Sequence, residues 1–271
     1  MKKKVILITG TSRGIGKHIL TELRKDASII VYGSSRTKDA SDPLHITLDV
    51  TNPESCSRAV EKILAEQGKL DVLFNNAGSH LTGASEETSL EEIDGQMRLN
   101  FYGAIHMIKA VTPVFLEQKS GKIINMSSLG GLLSLPYTSA YNASKFALEG
   151  YTESLRLELL PLGIYVSNLV AAYINTGTID QSIIAPSKDH PVFSKFRKKM
   201  HEKMKQDSLK GIPLSSIHEV IGKIIHSSKP KFRYKIGKMT KQLTLLNFII
   251  PERMFQGTVL KTFGIPSLIK Y

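Results

Sequence analysis

The 271-residue chain has one cysteine, Cys56, and no long apolar run. A lone cysteine excludes an internal disulfide and suits a reducing cytosol better than a secreted setting. The apolar stretches at 5–8 and 243–250 are too short to cross a bilayer. The first of them leads straight into a glycine-rich turn, so it does not predict an export signal. We therefore expect a cytoplasmic protein, and no metal site is predicted.

Acidic residues are scarce in the last third of the chain. Residues 188–271 hold 5 Asp and Glu against 18 Lys and Arg, whereas residues 1–187 hold 19 against 18. Such a basic surface is either simply solvated or attracts a membrane surface, a nucleic acid or an acidic carrier protein. The lysines have little aromatic interleaving and no recognition motif accompanies them, so nucleic-acid binding is not expected. Peripheral membrane contact remains an expectation.

Short β-branched runs alternate with segments of helical period from Val5 to Val170. Most of the runs are apolar at consecutive positions, as expected for strands buried on both faces. The pattern predicts an α/β fold with a doubly wound parallel sheet, Rossmann-like, in a single domain over residues 1–271. The predicted strands are 5–9, 28–32, 45–49, 72–75, 122–126, 164–170 and an edge strand at 233–237.

Helices are predicted between these strands. One spans 15–24, one runs from an Asn52 cap to about residue 67, and one runs from Ser139 to near residue 161. The alternation breaks after Val170, and 173–215 is the predicted substrate lid. A capping box at 216–219 predicts the start of another helix. Residues 238–271 form a basic C-terminal extension, which either packs on the body or a second subunit or lies at a membrane interface.

A glycine-rich turn, Thr-Gly-Thr-Ser-Arg-Gly-Ile-Gly at 9–16, follows the first strand and opens the first helix. In this context the turn can place a pyrophosphate at the helix N-terminus, because a Cβ would block the turn or the approach of the phosphate oxygens. The predicted cofactor-binding residues here are Gly10, Ser12, Arg13, Gly14, Ile15 and Gly16.

Three other strand ends point to the same crevice, since ligands of doubly wound sheets bind beyond the carboxyl ends of the strands. Asp49 and Val50 end the third strand, and Ser128 follows the fifth. Asn76, Ala77 and Gly78 follow the fourth. An asparagine in that segment can also simply cap a turn.

The end of the second strand discriminates between nicotinamide cofactors. An acid there would bind the ribose 2′-hydroxyl of NAD, whereas an arginine accommodates the 2′-phosphate of NADP. Here Ser35 and Arg36 stand in that position, and Arg13 can supply a second guanidinium. NADP(H) is therefore expected in preference to NAD(H), unless both arginines are merely solvated.

Tyr141 and Lys145 lie four residues apart at the start of a predicted helix, so they share one face. A phenol with a pKa near 10 is too weakly ionised for a base at neutral pH. An ammonium about 4 Å away would lower that pKa by roughly three units, so we expect Lys145 to bring the pKa of Tyr141 near neutrality. Ser128 can hydrogen-bond a substrate carbonyl. Asn100 is expected to hold a water linking Lys145 to solvent.

Together these residues, in this order and spacing, resemble the short-chain dehydrogenase/reductase family, in its compact branch. The resemblance covers Lys4 to about Thr176 and continues more loosely to Gly237. The matching segments are 9–16, 75–78 and the tetrad Asn100, Ser128, Tyr141 and Lys145. The C-terminal part is loosely similar to hydroxysteroid and retinol dehydrogenases.

The resemblance implies further roles. Lys145 should also bind the nicotinamide ribose, Asp49 and Val50 should flank the adenine, and Ile174 and Thr176 should touch the carboxamide. One departure concerns Ala171-Ala172, where the family usually has Pro-Gly. An alanine Cβ there would crowd the nicotinamide and weaken cofactor binding.

The sequence thus predicts an NADPH-dependent oxidoreductase that transfers hydride between a nicotinamide and a carbonyl or secondary alcohol of a lipophilic substrate, as a homodimer or homotetramer. A reductase of carrier-bound 3-oxoacyl groups is an alternative, because a basic surface would suit an acidic carrier. A non-catalytic NADP(H)-binding regulator is another, although an intact tetrad would then be unnecessary.

Overall fold

A computed structural model describes residues 3–176, 183–184 and 190–265. Its main sheet has seven parallel strands in the order β3-β2-β1-β4-β6-β7-β9, and β5 pairs with β8 in a separate parallel ladder. The strands are β1 (Lys4–Thr9), β2 (Ile29–Ser35), β3 (His45–Thr47), β4 (Val72–Asn75), β5 (Leu81–Thr82), β6 (Gly121–Met126), β7 (Ile164–Ala171), β8 (Ile183–Ile184) and β9 (Arg233–Ile236).

The helices connect the parallel strands and cover both faces of the sheet. They are α1 (Gly14–Leu23), α2 (Pro53–Gln67), α3 (Leu90–Met97), α4 (Gly103–Gln118), α5 (Ser139–Leu159), α6 (Pro191–Leu209), α7 (Leu214–His226), α8 (Lys238–Ile249) and α9 (Glu252–Thr262). Among the residues described, no helix is long and apolar enough to cross a membrane.

Strand β1 shows why both faces of the sheet are covered. Val5 and Leu7 belong to one buried cluster, with α2 and α4, whereas Ile6 and Ile8 belong to another, with α1 and α7. Successive side chains of a strand point to opposite faces, so a continuous apolar run has to be buried twice. The predicted doubly wound fold is confirmed. Cys56 is fully buried in the first cluster, and burial raises the pKa of its thiol to about 12.

Two predicted strand ends differ from the structure by two or more residues. Strand β2 continues to Ser35 instead of ending at 32, because Gly33 pairs with both β1 and β3. A Cβ on Gly33 would lie 2.8 Å from Thr11 Oγ1, so glycine here serves close packing and does not end the strand. Strand β3 ends at Thr47, two residues before its predicted end.

The predicted capping box at 216–219 does not form. Helix α7 begins at Leu214 with Pro213 as its N-terminal flanking residue, and no side chain caps it. The amide of Ser216 donates to the carbonyl of Pro213 at 3.1 Å, so Ser216 already lies inside the first turn. The caps at Asn52 and the start at Ser139 agree with prediction.

Helix α6, inside the predicted lid segment, is tied to the body by a buried ion pair. Arg197 Nη1 lies 2.7 Å from Glu87 Oε2, and both side chains are almost fully buried. The other carboxylate oxygen of Glu87 accepts from the amide of His190, the residue that precedes α6. Glu87 therefore fixes both the start and the middle of this helix.

Glu87→Ala should lower the free energy of unfolding by about 3–5 kcal/mol, because it removes a buried carboxylate that pairs with the buried Arg197 guanidinium. Chemical denaturation of the full-length protein measures this free energy of unfolding. The double variant Glu87→Leu, Arg197→Met should regain most of the loss, since it removes both charges. A double variant as unstable as Glu87→Ala would show that the loss has another cause.

Candidate active site

The glycine-rich turn between β1 and α1 forms a cradle at the carboxyl edge of the sheet. Gly10 has a φ of +71°, and a Cβ on it would lie 2.8 Å from the Cα of Ala77. A Cβ on Gly16 would collide with the backbone carbonyl of Gly10 and with the side-chain amide of Asn76. Gly14 also has a positive φ, of +58°. The backbone here fits a phosphate-bearing cofactor at the start of α1, because only glycines leave the required space.

Side chains from β1 and the β4 end hold this cradle in shape. Asn76 Nδ2 donates to the carbonyls of Thr9 and Gly10 at 2.9 and 3.0 Å. Thr9 Oγ1 accepts from the amides of Asn76 and Ala77, both at 3.0 Å. Asn76 therefore caps the turn and at the same time lines the cavity beside it. Asn76 can therefore be both a turn cap and a residue of the cofactor site.

The residues predicted to select NADP(H) lie at the open end of the crevice. Ser12, Arg13 and Arg36 are exposed, and Arg13 lines the cavity while Arg36 follows directly on β2. Ser35 is engaged elsewhere: its hydroxyl lies 2.7 Å from the carbonyl of Thr37 and 2.9 Å from His45 Nε2. Ser35 therefore shapes the loop that carries Arg36.

Asp49 and Val50, the residues predicted to flank the adenine, make different kinds of contact. The carboxylate of Asp49 accepts from the amide and the hydroxyl of Thr51 at 2.9 and 2.7 Å, so it orders the turn after β3. Val50 is buried, and its carbonyl lies 2.9 Å from His106 Nδ1. Gly103 on α4 allows this packing, because a Cβ there would lie 2.7 Å from the Val50 side chain.

Three of the four predicted catalytic residues lie together in one cavity. Tyr141, Lys145 and Ser128 line a cavity of about 400 Å³. Lys145 Nζ lies 5.9 Å from the centre of the Tyr141 ring and donates to the carbonyl of Met126 at 2.8 Å. Ser128 Oγ accepts from the amide of Gly130 at 3.1 Å. The Ser128 hydroxyl, the Tyr141 phenol and the Lys145 ammonium therefore share one cavity.

Asn100 lies behind this cluster and does not contact Lys145 directly. It sits in a π-helical turn, Arg98–Tyr102, between α3 and α4. Its Nδ2 donates to the Ser79 carbonyl at 2.9 Å and to Ser144 Oγ at 3.1 Å, and its Oδ1 accepts from the Ser79 amide. The side chain thus joins the 79–80 loop to α5. A water bound by Asn100 stays a prediction.

The pKa of Tyr141 was wrongly predicted. Burial raises this pKa above its usual value, with a smaller opposing effect from the Ser128 hydrogen bond. Burial also lowers the pKa of Lys145 to about 8, although the Glu149 carboxylate works in the other direction. The prediction rested on an ammonium about 4 Å from the phenol and took no account of the burial of the phenol. In the folded protein desolvation dominates, so the phenol is a proton donor at neutral pH.

His80 is a site residue that the sequence did not single out. Its ring packs on that of Tyr141 with 4.2 Å between centroids and an interplanar angle of 46°. Burial, assisted by His201 and Lys145, lowers the pKa of His80 to about 4, so the imidazole is neutral at physiological pH. It lies two residues beyond the Asn-Ala-Gly segment, and only the tertiary structure brings it to the tyrosine.

The far end of the cavity is apolar and is built by the predicted lid and C-terminal extension. Helix α6 contributes Met204, together with the polar side chains Lys203 and Asp207. The apolar wall residues from the 129–135 loop, α8, α9 and the end of α9 are Leu129, Leu133, Leu135, Met239, Leu243, Leu246, Phe255, Val259 and Phe263. Segments far apart in sequence therefore enclose a space for an apolar ligand next to Tyr141.

Ala171 and Ala172 are the residues that were expected to crowd a nicotinamide ring. Neither has a positive φ, and the amide of Ala172 donates to Thr240 Oγ1 on α8 at 3.0 Å. The Ala172 side chain packs with Leu129 and Phe255. The alanine thus supports the C-terminal extension, and weakened cofactor binding stays a prediction. Ile174 and Thr176 both line the same cavity, as their predicted contact with a carboxamide requires.

Comparison with known proteins agrees with this geometry. A family model described as short chain dehydrogenase matches residues 4–184. Over 261 residues the chain is 38% identical to the 3-ketodihydrosphingosine reductase of Bacteroides thetaiotaomicron, which covers 94% of this chain and 96% of that one. It is 30% identical over 257 residues to human 17-beta-hydroxysteroid dehydrogenase type 1, with 86% of this chain and 77% of the relative covered.

Solved structures show the same architecture. A short-chain dehydrogenase from Streptomyces avermitilis superimposes with a TM-score of 0.82 at 29% identity over 97% of both chains. A short-chain dehydrogenase from Burkholderia cenocepacia in complex with NADP has a TM-score of 0.74 at 22% identity, covering 96% of this chain and 98% of that one. One from Burkholderia phymatum in complex with NAD has a TM-score of 0.77 at 23% identity, covering 100% and 99%.

The glycine cradle, the Ser128–Tyr141–Lys145 cluster and a family match across most of the chain lead to one assignment. The protein belongs to the short-chain dehydrogenase/reductase family and is a nicotinamide-dependent oxidoreductase of keto and hydroxyl groups.

Proposed function

We propose that this enzyme uses NADPH to reduce the ketone of a lipophilic, long-chain substrate. The observation that carries the proposal is the position of the Tyr141 phenol at the junction of the cofactor cradle and an apolar cavity. The similarity to a 3-ketodihydrosphingosine reductase supports a long-chain 3-keto amino alcohol as the first substrate to test. A chain of this kind matches the apolar walls given by α8 and α9.

The cofactor and three side chains each have a separate role in the reaction. The reduced nicotinamide supplies the hydride. Ser128 donates a hydrogen bond to the substrate carbonyl oxygen and fixes its position, and Tyr141 gives that oxygen a proton. Lys145 keeps a positive charge near the phenol, which favours release of its proton. The neutral His80 ring holds the Tyr141 ring from one side, so the phenol points into the cavity.

NADPH is proposed over NADH because two arginines and no acid stand near the expected 2′-position. Arg13 and Arg36 are exposed, and each can turn toward a phosphate. A guanidinium binds phosphate in bidentate fashion, whereas it gains little from a hydroxyl. Structural neighbours bind NADP in one case and NAD in another, so these neighbours support a nicotinamide cofactor of either kind.

The pH dependence follows from the two pKa shifts. Reduction needs a neutral Tyr141, which the raised pKa maintains, and a charged Lys145, which is lost as the pH rises through about 8. The rate of reduction should therefore be level well below pH 8 and fall above it. Glu149→Gln removes the carboxylate that raises the Lys145 pKa, so the fall should move to lower pH. Initial rates across a pH series, with folding checked at each pH, give the pH profiles of the wild type and of Glu149→Gln. A fall in rate that moves to higher pH in Glu149→Gln would contradict the role given to the charged Lys145.

A homodimer or homotetramer in the cytoplasm is proposed, with peripheral membrane contact through the basic last third. On α5, Phe146 and Leu157 are 43% and 71% exposed and lie three helical turns apart on one face. An apolar stripe of this kind suits a contact between copies. Light scattering should give a mass of two or four chains, and Leu157→Glu should reduce it. A monomeric wild-type protein would contradict the oligomer.

A substrate panel tests the proposed function. NADPH consumption should be fastest with the long-chain 3-keto amino alcohol, slower with a steroid ketone, and slowest with a water-soluble 3-oxoacyl thioester. The reverse order would favour the alternative, a reductase of carrier-bound 3-oxoacyl groups, for which the basic surface is the supporting feature. Absence of turnover with every ketone, together with tight NADPH binding, would favour a regulator instead.

A further inference from the structure

Helix α8 has two adjacent apolar faces, of which only one is covered. Met239, Leu243 and Leu246 repeat at helical spacing and line the cavity. Leu245, Phe248 and Ile249 also share a face, and they are 58%, 89% and 66% exposed. A helix that packs only against its own protein normally places polar side chains on the outer face.

The exposed face continues onto the next helix. Ile250 and Pro251 join α8 to α9, and Met254 in the first turn of α9 is 61% exposed. We call Leu245, Phe248, Ile249 and Met254 the apolar tip. These large apolar side chains cluster around a short connection, so they form a protruding surface and not scattered single exposures.

Basic side chains are frequent in the two helices that carry the apolar tip. Residues 238–262 contain four Lys and Arg and one acid, Glu252. Apolar side chains flanked by lysines are the combination that binds the interface of an anionic membrane, where burial of the apolar groups and attraction to acidic lipids add together.

The apolar tip lies on the same helix as one wall of the substrate cavity. Met239 and Leu246 line the cavity and are also 39% and 37% exposed, so α8 separates the cavity from the tip by the width of one helix. We propose that the apolar tip docks on an anionic lipid surface and that the lipophilic ketone passes from this surface along α8 into the cavity. The delivery step rests on the proposed function, and the docking assigns the peripheral membrane contact proposed there to the apolar tip.

A second copy of the chain is a poorer occupant for this surface. A two-fold contact would bring the same patch of both copies together, and with it two strongly basic thirds that repel one another. The exposed stripe on α5 offers copies a contact outside that third. An acidic lipid surface has the complementary charge.

Vesicle binding tests the docking. The full-length protein should sediment with vesicles of phosphatidylglycerol and phosphatidylcholine, and much less with phosphatidylcholine alone or at high salt. Phe248→Ser with Ile249→Ser should weaken binding to the anionic vesicles about a hundredfold, since it removes two large apolar side chains from the contact. Leu90→Ser is the matched control, because Leu90 is 79% exposed on α3, outside the basic third; it should bind as the wild type does.

The outcomes separate docking from catalysis. The double variant should keep wild-type turnover of a water-soluble ketone and lose turnover of a long-chain ketone presented in vesicles. Equal vesicle binding by the wild type and the double variant would overturn the proposal, and so would a double variant that changes the oligomeric mass in the absence of lipid, since a second copy would then cover the tip. If vesicles bind as expected but no ketone is reduced, the docking holds and the proposed function fails.

Discussion

Tyr141→Phe should lower the turnover number for ketone reduction by about a hundredfold to ten-thousandfold, the range expected when a general acid is removed. The phenol lies in the same cavity as Ser128 and Lys145, and phenylalanine keeps the ring that packs on His80. Cofactor affinity should therefore stay close to that of the wild type. Stopped-flow turnover and fluorescence titration with NADPH measure the two quantities separately.

Tyr173→Phe is the matched control for that experiment. Tyr173 lines the same cavity, and its buried hydroxyl makes no hydrogen bond with any residue that the structure describes. Removing that hydroxyl should leave the turnover number within about threefold of the wild type, because no polar partner is left unpaired. If Tyr141→Phe also stayed within that range, the acid would have to be another group.

Changing the two arginines near the expected 2′-phosphate should give the second large effect. Arg36→Asp combined with Arg13→Ala should lower kcat/KM for NADPH by roughly a hundredfold or more, since charged hydrogen bonds contribute about 1.5–3 kcal/mol each. The new acid can also accept a hydrogen bond from a ribose hydroxyl, so kcat/KM for NADH should be unchanged or rise. Parallel steady-state kinetics with both cofactors give the ratio.

Arg98→Ala provides the control for charge alone. Arg98 is exposed at the start of the π-helical turn that follows α3, it pairs with Asp94, and it does not line the cavity. Its removal should leave the ratio of kcat/KM for the two cofactors unchanged. A wild-type enzyme that already turns over faster with NADH would contradict the roles given to Arg13 and Arg36.

Much of the fold and of the candidate site could be predicted from the sequence, because both depend on local patterns. Consecutive apolar residues in β1 predict burial on two faces, and the glycines at 10, 14 and 16 predict a turn that only glycine can form. The carboxyl ends of parallel strands meet at one edge. That rule alone brings the 76–78 segment and Ser128 to the cofactor turn, as the structure shows.

Other features could not be predicted, because they depend on contacts between distant segments. The end of β2 at Ser35 depends on how closely Gly33 approaches Thr11, and the position of His80 depends on the packing of its loop against α5. The pKa of Tyr141 depends on burial, which the spacing from Lys145 does not reveal. The apolar cavity wall is assembled from α6, α8 and α9, whose arrangement no local pattern encodes.

The most direct test of the central claim is the fate of NADPH when a long-chain 3-keto amino alcohol is added to the purified enzyme. The absorbance of NADPH should fall, with one equivalent of the secondary alcohol formed for each NADPH consumed, and Tyr141→Phe should nearly abolish the change. Undiminished NADPH consumption by Tyr141→Phe, or no consumption by the wild type with any ketone, would contradict it.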